Sequence, residues 1–269
     1  MIRLEDREFE YIVQYAKEKY GLNLEKKRVL VECRLKGELE KHHVSSFSEY
    51  LVMISRDRSG KMAEDMISRL TTHYTYFMRE FKHFELIRDV ILPEVSRKQM
   101  PSVYSVWCAG CSTGQECYTL EMTLEEYRKT GSWMPVVMML ATDISEPVLK
   151  QAQSGIYKLK ELESIPPAWR ERYCTVGQDQ TFQIKEALRT PVRFRKQNLK
   201  DYVQEKEQFD LILCRNVMIY FDTADKRRLV RELEKSLRPG GYLLVGHSEL
   251  LPKDETSLNY VGSAAYRKE

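Results

Sequence analysis

Three cysteines stand close together in the segment VWCAGCSTGQECY, residues 106–118, and raise the question of a thiol site. Cys108 and Cys111 have the C-x-x-C spacing of zinc and redox sites, and Cys117 follows six residues later. A structural zinc site needs four ligands, and no second C-x-x-C or nearby histidine pair supplies the others. A thioredoxin-like pair opens a helix directly, whereas Ser-Thr-Gly intervenes here. The thiol interpretation is therefore the weaker one, and we expect no metal.

The same segment has the pattern of a turn between a buried strand and a helix. VYSVWC reads as the strand, Gly110 and Gly114 lie in a turn of small residues, and Gln115 with Glu116 begins the helix. Glycines let the backbone approach a ligand closely, and free N–H groups at a helix start favour an anionic group. The spacing is looser than G-x-G-x-x-G. It therefore predicts a nucleotide-like ligand without specifying which one.

An acid follows the next predicted strand. VVMMLATD, residues 136–143, ends in Asp143, which falls at the carboxyl edge of the sheet beside the glycine turn. A carboxylate at this place can accept hydrogen bonds from a ribose diol. An aspartate after a strand is also a common helix cap, and the helical pattern ISEPVLKQA follows it. Both interpretations of Asp143 stay open.

Two further segments carry polar residues that could line the same site. On a helix over residues 69–84, RLTTHYTYFMREFKHF, the three phenylalanines form one apolar stripe, and Thr75 and Arg79 point the opposite way. That pattern fits either an ordinary surface helix or one wall of a cleft. Asn216 and Tyr220 follow the predicted strand FDLILC, so they fall at the mouth of the site, although Tyr220 could equally be core packing.

The wider pattern explains what must position these residues. Helical periodicity fills the chain up to about residue 92, and from 102 onward short apolar runs alternate with helices. Continuous apolar strands separated by helices predict a parallel sheet covered on both faces, which is an α/β fold. The runs are VYSVWC, VVMMLAT (136–142), VRFRKQN (192–198), FDLILC (209–214) and GYLLVG (241–246).

One stretch interrupts this alternation. About 35 residues lie between the helix ending near Gly155 and the strand at 192, too many for an ordinary loop. TFQIK within it alternates and follows a turn candidate, so we predict a small antiparallel subdomain at about 156–191. The tail NYVGSAAYRK reads as one final strand, which together with the loose glycine turn disfavours a nicotinamide oxidoreductase.

Composition excludes several classes of protein. The chain has 269 residues, of which 42% are hydrophobic and 31% charged, as in globular proteins. A net charge of +3 does not indicate nucleic-acid binding, and no apolar run approaches the roughly 20 residues that span a bilayer. Without a secretory signal at the N-terminus, we expect a cytoplasmic location, reduced cysteines and no membrane insertion.

One local charge pattern stands out in residues 26–41. Lys27, Arg34 and Lys41 recur at intervals of seven, so on a helix they share a stripe. The stripe is either a solvated helix face or a docking face for an acidic partner.

The chain strongly resembles the CheR-type chemotaxis receptor glutamate methyltransferases in five separated motifs. In chain order they are LTTHYTYFMRE, WCAGCSTGQECYTL, ATDISEPVLKQAQSGIY, FDLILCRNVMIYF and GHSE. The resemblance implies a doubly wound, Rossmann-like class I S-adenosylmethionine-dependent methyltransferase domain with a small all-helical N-terminal domain and an inserted antiparallel β-subdomain. We place the helical, receptor-docking domain at 1–85, a linker at 86–101 and the methyltransferase domain at 102–269.

The resemblance also implies a reaction. A methyl group passes from S-adenosylmethionine to glutamate carboxylates on the cytoplasmic helical region of chemoreceptors, with S-adenosylhomocysteine as the other product. Arg79 and Tyr220 are the pair nearest the chemistry. By position in the motifs, the cofactor contacts are His73, Thr75, Arg79, Glu116, Asp143, Asn198, Leu199, Asn216 and Val217.

Within this reading, single residues have expected roles. Glu116 meets the amino end of the cofactor, Asp143 its ribose, and Asn198 with Leu199 its adenine side. This chain departs from relatives at His73, where they have Asn, and at Gln115, where many have Glu.

Acidic receptor helices make the basic stripe of Lys27, Arg34 and Lys41 a docking face, and we expect a monomer. Two alternatives remain open: a carboxyl methyltransferase with another substrate, and a receptor-binding signalling adaptor with a vestigial cofactor site. The short turn VGQDQ, residues 176–180, argues against tethering by a receptor's C-terminal peptide, which some relatives grip with a glycine-rich loop.

Overall fold

The computed structural model describes residues 2–98, 102–204, 208–251 and 256–269, and the chain divides into two compact units. The helical unit comprises residues 1–73 together with 220–226, and the sheet unit comprises 74–219 together with 227–269. The division between His73 and Tyr74 differs from the boundary expected at 85. The expected linker is also helical as far as it is described, and its last residues, 99–101, lie outside the described part of the chain.

The helical unit contains the helices predicted from the periodicity. They are α1 (Asp6–Tyr20), α2 (Arg28–Lys41), α3 (Phe47–Arg56) and α4 (Lys61–Leu70). As the sequence predicts, α1 ends at Gly21, which adopts φ 70, and the Ser46 side chain caps α3 by accepting from the Glu49 N–H. Each helix turns an apolar face inward, and these faces form a core of their own.

The sheet unit is built on a seven-stranded sheet in the order β6-β2-β1-β7-β8-β10-β9. The first five strands of that order pair in parallel, which confirms the predicted α/β core. The strands of this sheet are β1 (Val103–Ala109), β2 (Val136–Asp143), β6 (Val192–Lys196), β7 (Phe209–Cys214), β8 (Leu237–Val245), β9 (Asn259–Gly262) and β10 (Ala265–Arg267).

The C-terminal tail corrects one prediction. It is not one strand but two short ones, β9 and β10, which pair antiparallel with each other, while β10 pairs antiparallel with β8. Ser263 and Ala264 between them have φ values of 50 and 54, so a tight left-handed turn reverses the chain. The Gly262-Ser263 pair in the tail was the available hairpin signal.

Helices cover the sheet, as expected for strands whose side chains are apolar on both faces. The helices of the sheet unit are α5 (Lys82–Leu86), α6 (Leu92–Lys98), α7 (Gln115–Arg128), α8 (Glu146–Ser154), α9 (Pro167–Tyr173) and α10 (Glu186–Arg189), followed by α11 (Thr223–Ser236), whose first turn belongs to the helical unit. One π-helical turn, Ile87–Ile91, joins α5 to α6. β1 and β7 are buried almost throughout, because helices cover both of their faces.

The inserted subdomain is present where the sequence predicts it. A three-stranded antiparallel sheet has the order β3 (Ile156–Lys158), β5 (Thr181–Ile184), β4 (Cys174–Val176). Tyr157 of β3 is buried, and its hydroxyl donates to the Thr113 carbonyl at 2.7 Å. The subdomain therefore supports the turn that follows β1.

The helix expected over residues 69–84 is wrong. α4 ends at Leu70 and α5 begins at Lys82, with extended and turn residues between them. Met78 and Glu80 have φ values of 64 and 51, which a right-handed helix cannot contain. Two of the three phenylalanines are nevertheless buried, so the apolar pattern marks core contacts rather than a helix.

No helix among residues 2–98, 102–204, 208–251 and 256–269 is both long and apolar enough to cross a membrane.

The middle of α7 buries a carboxyl group, which predicts a pH-dependent stability. Glu121 is 1% exposed, its Oε1 has no hydrogen-bond partner within the described part of the chain, and burial raises its pKa to about 8. A folded-state pKa above the unfolded value gives stability that is complete below about pH 4.5 and is lost as pH rises through 8. We expect Glu121→Gln to be more stable than the wild type by roughly 3 to 5 kcal/mol at pH 9 and nearly equal to it at pH 5.

Urea unfolding at the two pH values measures this difference. Glu163→Gln, at an exposed position, is the matched control and should show no such divergence. Parallel stability curves for Glu121→Gln and the wild type would contradict the prediction.

Candidate functional site

The candidate site lies at the carboxyl ends of the parallel strands in the sheet unit. Along the sheet, strand order reverses between β1 and β7, since β1 is followed by β2 and β6 on one side and by β7 and β8 on the other. Ligands of doubly wound sheets bind in the crevice at such a reversal. Six of the residues predicted for the cofactor lie at or after the ends of β1, β2, β6 and β7 at this edge: Glu116, Asp143, Asn198, Leu199, Asn216 and Val217.

The turn after β1 has the backbone shape that a bound ligand requires. Gly110 and Gly114 have φ values of 86 and 91, and the N–H groups of Gly110 and Cys111 both donate to the Thr142 carbonyl of β2. A side chain at Gly110 would place its Cβ 2.3 Å from Val217, so only glycine fits there. The turn leads directly into the 14-residue helix α7, whose N-terminus faces the same edge.

The three cysteines of this segment are packing residues. Cys108, Cys111 and Cys117 are at most 2% exposed. A hydrogen bond with Cys117 and burial together raise the pKa of Cys108, and burial raises the pKa of Cys111. Neutral buried thiols are poor nucleophiles and poor metal ligands. The burial of these thiols thus agrees with the sequence patterns, which make a thiol site the weaker interpretation.

Both carboxylate oxygens of Asp143 accept from backbone N–H groups, and Asp143 itself precedes Ser145, which is the N-cap of α8. The Asp143 Oδ2 accepts from the Ser112 N–H of the glycine turn at 2.9 Å, and its Oδ1 accepts from the Ser145 N–H at the start of α8 at 3.0 Å. The carboxylate therefore joins the turn after β1 to the helix after β2. It is 8% exposed, so it lies at the wall of the crevice rather than on the open surface.

A buried arginine, which the sequence analysis did not single out, organises the centre of this edge. Arg215 follows β7, and its side chain is 2% exposed. Its Nη1 donates to Glu116 at 2.8 Å, and its Nη2 donates to Glu80 at 3.1 Å and to the Arg79 carbonyl at 2.5 Å. The sequence contains one signal that could have identified Arg215. It is a charged residue directly after an apolar strand, and ligand-facing residues collect at strand ends.

The two carboxylates around Arg215 differ in their acidity. Burial raises the pKa of Glu116, and the Arg215 guanidinium opposes that rise. At Glu80 burial acts in the same direction, but the Arg215 charge and hydrogen bonds from Asn216 and Arg215 hold its pKa below its usual range. A site with two acids and one arginine keeps excess negative character, which suits a cationic ligand group.

The loop after β7 is held by a second buried acid, Glu249. Its carboxylate accepts from the backbone N–H groups of Asn216 at 2.5 Å, Gly246 at 2.8 Å and Ile219 at 3.0 Å. Asn216 has φ 58, and its side-chain amide donates to Glu80 at 3.3 Å. Glu249 belongs to the GHSE motif, and the structure shows that it fixes the exit of β7 against the exit of β8.

Arg79 and Thr75 lie in the irregular segment that replaces the expected helix. Arg79 donates from Nη1 to the Tyr74 carbonyl at 2.7 Å, and its guanidinium stands 5.8 Å from the Tyr74 ring centre and 5.9 Å from that of Tyr76. Two aromatic rings thus orient the cation. Thr75 lies between the two tyrosines and is half-buried.

His73 and Tyr220 belong to the helical unit. The His73 Nε2 lies 2.7 Å from the Thr71 hydroxyl and 3.1 Å from the Ser68 carbonyl. The Tyr220 ring lies 5.6 Å from the Lys27 ammonium, and its hydroxyl donates to the Thr72 carbonyl at 3.4 Å. Tyr220 is partly buried against the helical core.

The adenine-side candidates follow β6. Asn198 caps a short 3₁₀ turn by accepting from the Lys200 N–H at 3.1 Å and donating to Asp201 at 2.7 Å, and Leu199 is buried. The Gln197 N–H donates to the Asp143 carbonyl at 2.9 Å, so this loop is tied to the end of β2.

The departure at Gln115 has a local explanation. The Gln115 amide donates to Glu161 of the inserted subdomain at 3.0 Å. A glutamate in its place would set two carboxylates against each other, and like charges at this distance repel.

The basic stripe is divided between two roles. Arg34 donates to the carbonyls of Leu70 at 2.9 Å and Thr71 at 2.7 Å, so it caps the C-terminus of α4. Lys27 and Lys41 are exposed, and Lys41 makes a surface ion pair with Glu38 at 3.3 Å. The expected docking stripe therefore contains one residue that is already used within the helical unit.

Fold and site together define an α/β protein with a candidate ligand crevice at the β1/β7 reversal. Two family models match this chain: "CheR methyltransferase, SAM binding domain" over residues 73–267 and "CheR methyltransferase, all-alpha domain" over residues 7–71. The chain belongs to the CheR methyltransferase family. The predicted family, fold class and S-adenosylmethionine-dependent enzyme class are confirmed.

Named relatives agree over nearly the whole chain. The chemotaxis protein methyltransferase of Borreliella burgdorferi is 37% identical over 99% of this chain and 96% of its own length. Chemotaxis protein methyltransferase 1 of Pseudomonas aeruginosa is 34% identical over 84% of this chain and 83% of its own. A crystal structure of an S-adenosylmethionine dependent methyltransferase from Mesorhizobium loti is 19% identical over 56% of this chain and 51% of its own, with a TM-score of 0.31, too low to support an argument.

The three hydrogen bonds to Glu249 predict a large effect of its removal. Glu249 is 1% exposed, so Glu249→Ala leaves backbone N–H groups buried without an acceptor. We expect a loss of roughly 3 kcal/mol in the free energy of unfolding, measured by urea titration. Glu171→Ala, at an exposed position, is the control. A loss no larger than that of the control would show that water replaces the carboxylate.

Proposed function

We propose that this chain transfers methyl groups from S-adenosylmethionine to glutamate side chains in the cytoplasmic helical region of chemoreceptors, and so forms glutamyl methyl esters. The observation that carries the cofactor half is the Gly110–Gly114 turn, with Glu116 on the first turn of α7 and Asp143 at the end of β2. The receptor half is supported by relatives whose names are chemotaxis protein methyltransferase.

The described residues fit the cofactor. S-adenosylmethionine supplies a methyl group on a sulfonium cation, and the neutral thioether S-adenosylhomocysteine is the leaving group. Glu116 provides a carboxylate for the amino end, Asp143 provides one for the ribose diol, and Asn198 with Leu199 forms the adenine side. Gly110 leaves room beside Val217 where any side chain would intrude.

The reaction needs little proton chemistry. A glutamate side chain has an ordinary pKa of about 4.3, so its carboxylate is already a nucleophile near pH 7. One oxygen lone pair forms the new O–CH₃ bond as the S–CH₃ bond breaks, and no proton is transferred. The protein's contribution is therefore alignment and exclusion of water. We assign the alignment to Arg79 and Tyr220. Of this pair, the Tyr220 hydroxyl would orient the carboxylate without neutralising its charge.

We assign receptor docking to Lys27, Arg34 and Lys41. Arg34 and Lys41 belong to α2, and Lys27 directly precedes it. Acidic receptor helices would be attracted by Lys27 and Lys41, whose ammonium groups are exposed. Arg34 is a poor residue for testing this assignment, since reversing its charge would also remove the cap of α4.

One experiment tests the function as a whole. The protein is incubated with methyl-labelled S-adenosylmethionine and receptor-containing membranes, and the labelled receptors are then treated with alkali. Release of the label as methanol is expected, because an ester hydrolyses under these conditions. Alkali-stable label would indicate nitrogen methylation, and receptor binding without any label would favour the signalling adaptor.

Removal of the Asp143 carboxylate should weaken cofactor binding. We expect Asp143→Ala to reduce the affinity for S-adenosylmethionine roughly tenfold or more in isothermal titration calorimetry, because hydrogen bonds to a charged group are lost. Asp179→Ala, in the exposed turn of the inserted subdomain, should bind as the wild type does. Unchanged affinity in Asp143→Ala would leave this residue only its role in joining the turn to α8.

Removal of the Tyr220 hydroxyl should separate binding from turnover. We expect Tyr220→Phe to bind S-adenosylmethionine normally and to transfer methyl groups roughly tenfold or more slowly, since only alignment is lost. Calorimetry measures the first property and initial rates of receptor labelling measure the second. Tyr11→Phe, at an exposed position of α1, is the control. Normal turnover by Tyr220→Phe would refute its assignment.

A further inference from the structure

A buried histidine beside the site presents a nitrogen lone pair that nothing in the described chain occupies. His83 is fully buried, and its Nε2 lies 2.5 Å from the Ser263 carbonyl. A carbonyl oxygen only accepts, so Nε2 carries the proton, and in the neutral imidazole Nδ1 carries a lone pair. Among the residues that the structure describes, the Nδ1 atom has no hydrogen-bond partner. Such buried orphan atoms are rare in native proteins.

The lone pair faces a second acceptor. The Oε2 atom of Glu80 lies 3.7 Å from His83 Nδ1, too far for a hydrogen bond. Two acceptors that face each other in a buried place are stabilised when a cation lies between them.

His247 adds a third ligand to the same place. Its ring centre lies 4.8 Å from that of His83, and one ligand atom from each of Glu80, His83 and His247 lies within 4.8 Å of the others. His247 follows β8 and is exposed, so the cluster opens to solvent on that side. Contraction of the set around an ion with bonds of about 2 Å requires movement chiefly of this exposed side chain.

We propose that Glu80, His83 and His247 form a binding site for a divalent transition-metal ion of the zinc class. Two imidazole nitrogens and one carboxylate oxygen suit such an ion, and the exposed side leaves a fourth position for water. The hydrogen bond from His83 Nε2 to a backbone carbonyl is the outer contact that metal-bound histidines usually make. The site goes beyond the methyl transfer proposed above and does not depend on it.

The surrounding charges permit a cation there. Arg215 contacts Glu80 Oε2 at 3.1 Å and would repel an ion, but Glu80 and Glu116 supply two negative charges against its one. A carboxylate offers about four lone-pair positions, so Glu80 can hold Arg215 and an ion together. The sequence gives no sign of the site, because His247 is 164 positions after His83 in the chain.

Metal titration of the full chain tests the proposal. Tag-free protein is stripped with chelator and titrated with ZnCl₂ by calorimetry, and we expect one ion per chain. His247→Gln and His83→Gln should each weaken binding roughly tenfold or more, whereas His43→Gln, at an exposed position of the helical unit, should not. Because His247 is exposed, its variant remains informative even if His83→Gln fails to fold.

Cobalt substitution identifies the ligands. We expect visible absorption typical of nitrogen and oxygen ligation without a thiolate charge-transfer band. A thiolate band, which the exposed Cys33 could produce, would overturn the proposal. So would the absence of stoichiometric binding, or equal affinities of His247→Gln and the wild type. None of these readouts depends on methyl transfer, so failure here leaves the proposed function untouched.

Discussion

The candidate site depends on one buried guanidinium. Arg215 leaves the end of β7 with almost no exposure, and it binds the helix after β1 through Glu116 and the irregular segment before α5 through Glu80 and the Arg79 carbonyl. A buried charge of this kind is stable only when good hydrogen-bond partners surround it. The partners come from two parts of the sequence that are both more than 90 positions from Arg215, so the network forms only when these parts of the sheet unit are folded together. It thereby holds Glu116 and Glu80 beside the end of β7.

The same network makes the site selective for charge. The acids at this edge exceed the cations in contact with them, and burial strengthens every interaction among them. A cationic ligand group would meet complementary charge there. Glu249 acts on the backbone instead. Its carboxylate accepts from backbone N–H groups and so holds the loops after β7 and β8 in one arrangement. Charge selection and loop geometry therefore come from different acids.

Sequence patterns predicted much of this architecture and failed at identifiable places. Apolar runs located the parallel strands, since strands buried on both faces have no reason to alternate. The residues around Met78 and Glu80 were assigned to a helix, because phenylalanine spacing cannot distinguish a helix from an irregular segment that buries the same side chains. The tail was read as one strand, because the left-handed turn at Ser263 and Ala264 uses residues that seldom adopt it.

The sequence by itself determined the order of the parallel strands along the chain, the glycine turn at Gly110 and Gly114, the acid after β2 and, through its motifs, the family. These features are local: each depends on spacing within a few residues or on a short motif. Only the tertiary structure decided that Arg215 joins Glu116 to Glu80, that Arg34 caps α4, and that His83 and His247 face each other. Such contacts join residues far apart in the chain. Their geometry is set by the packing of the strands and helices that carry them, which no local pattern records.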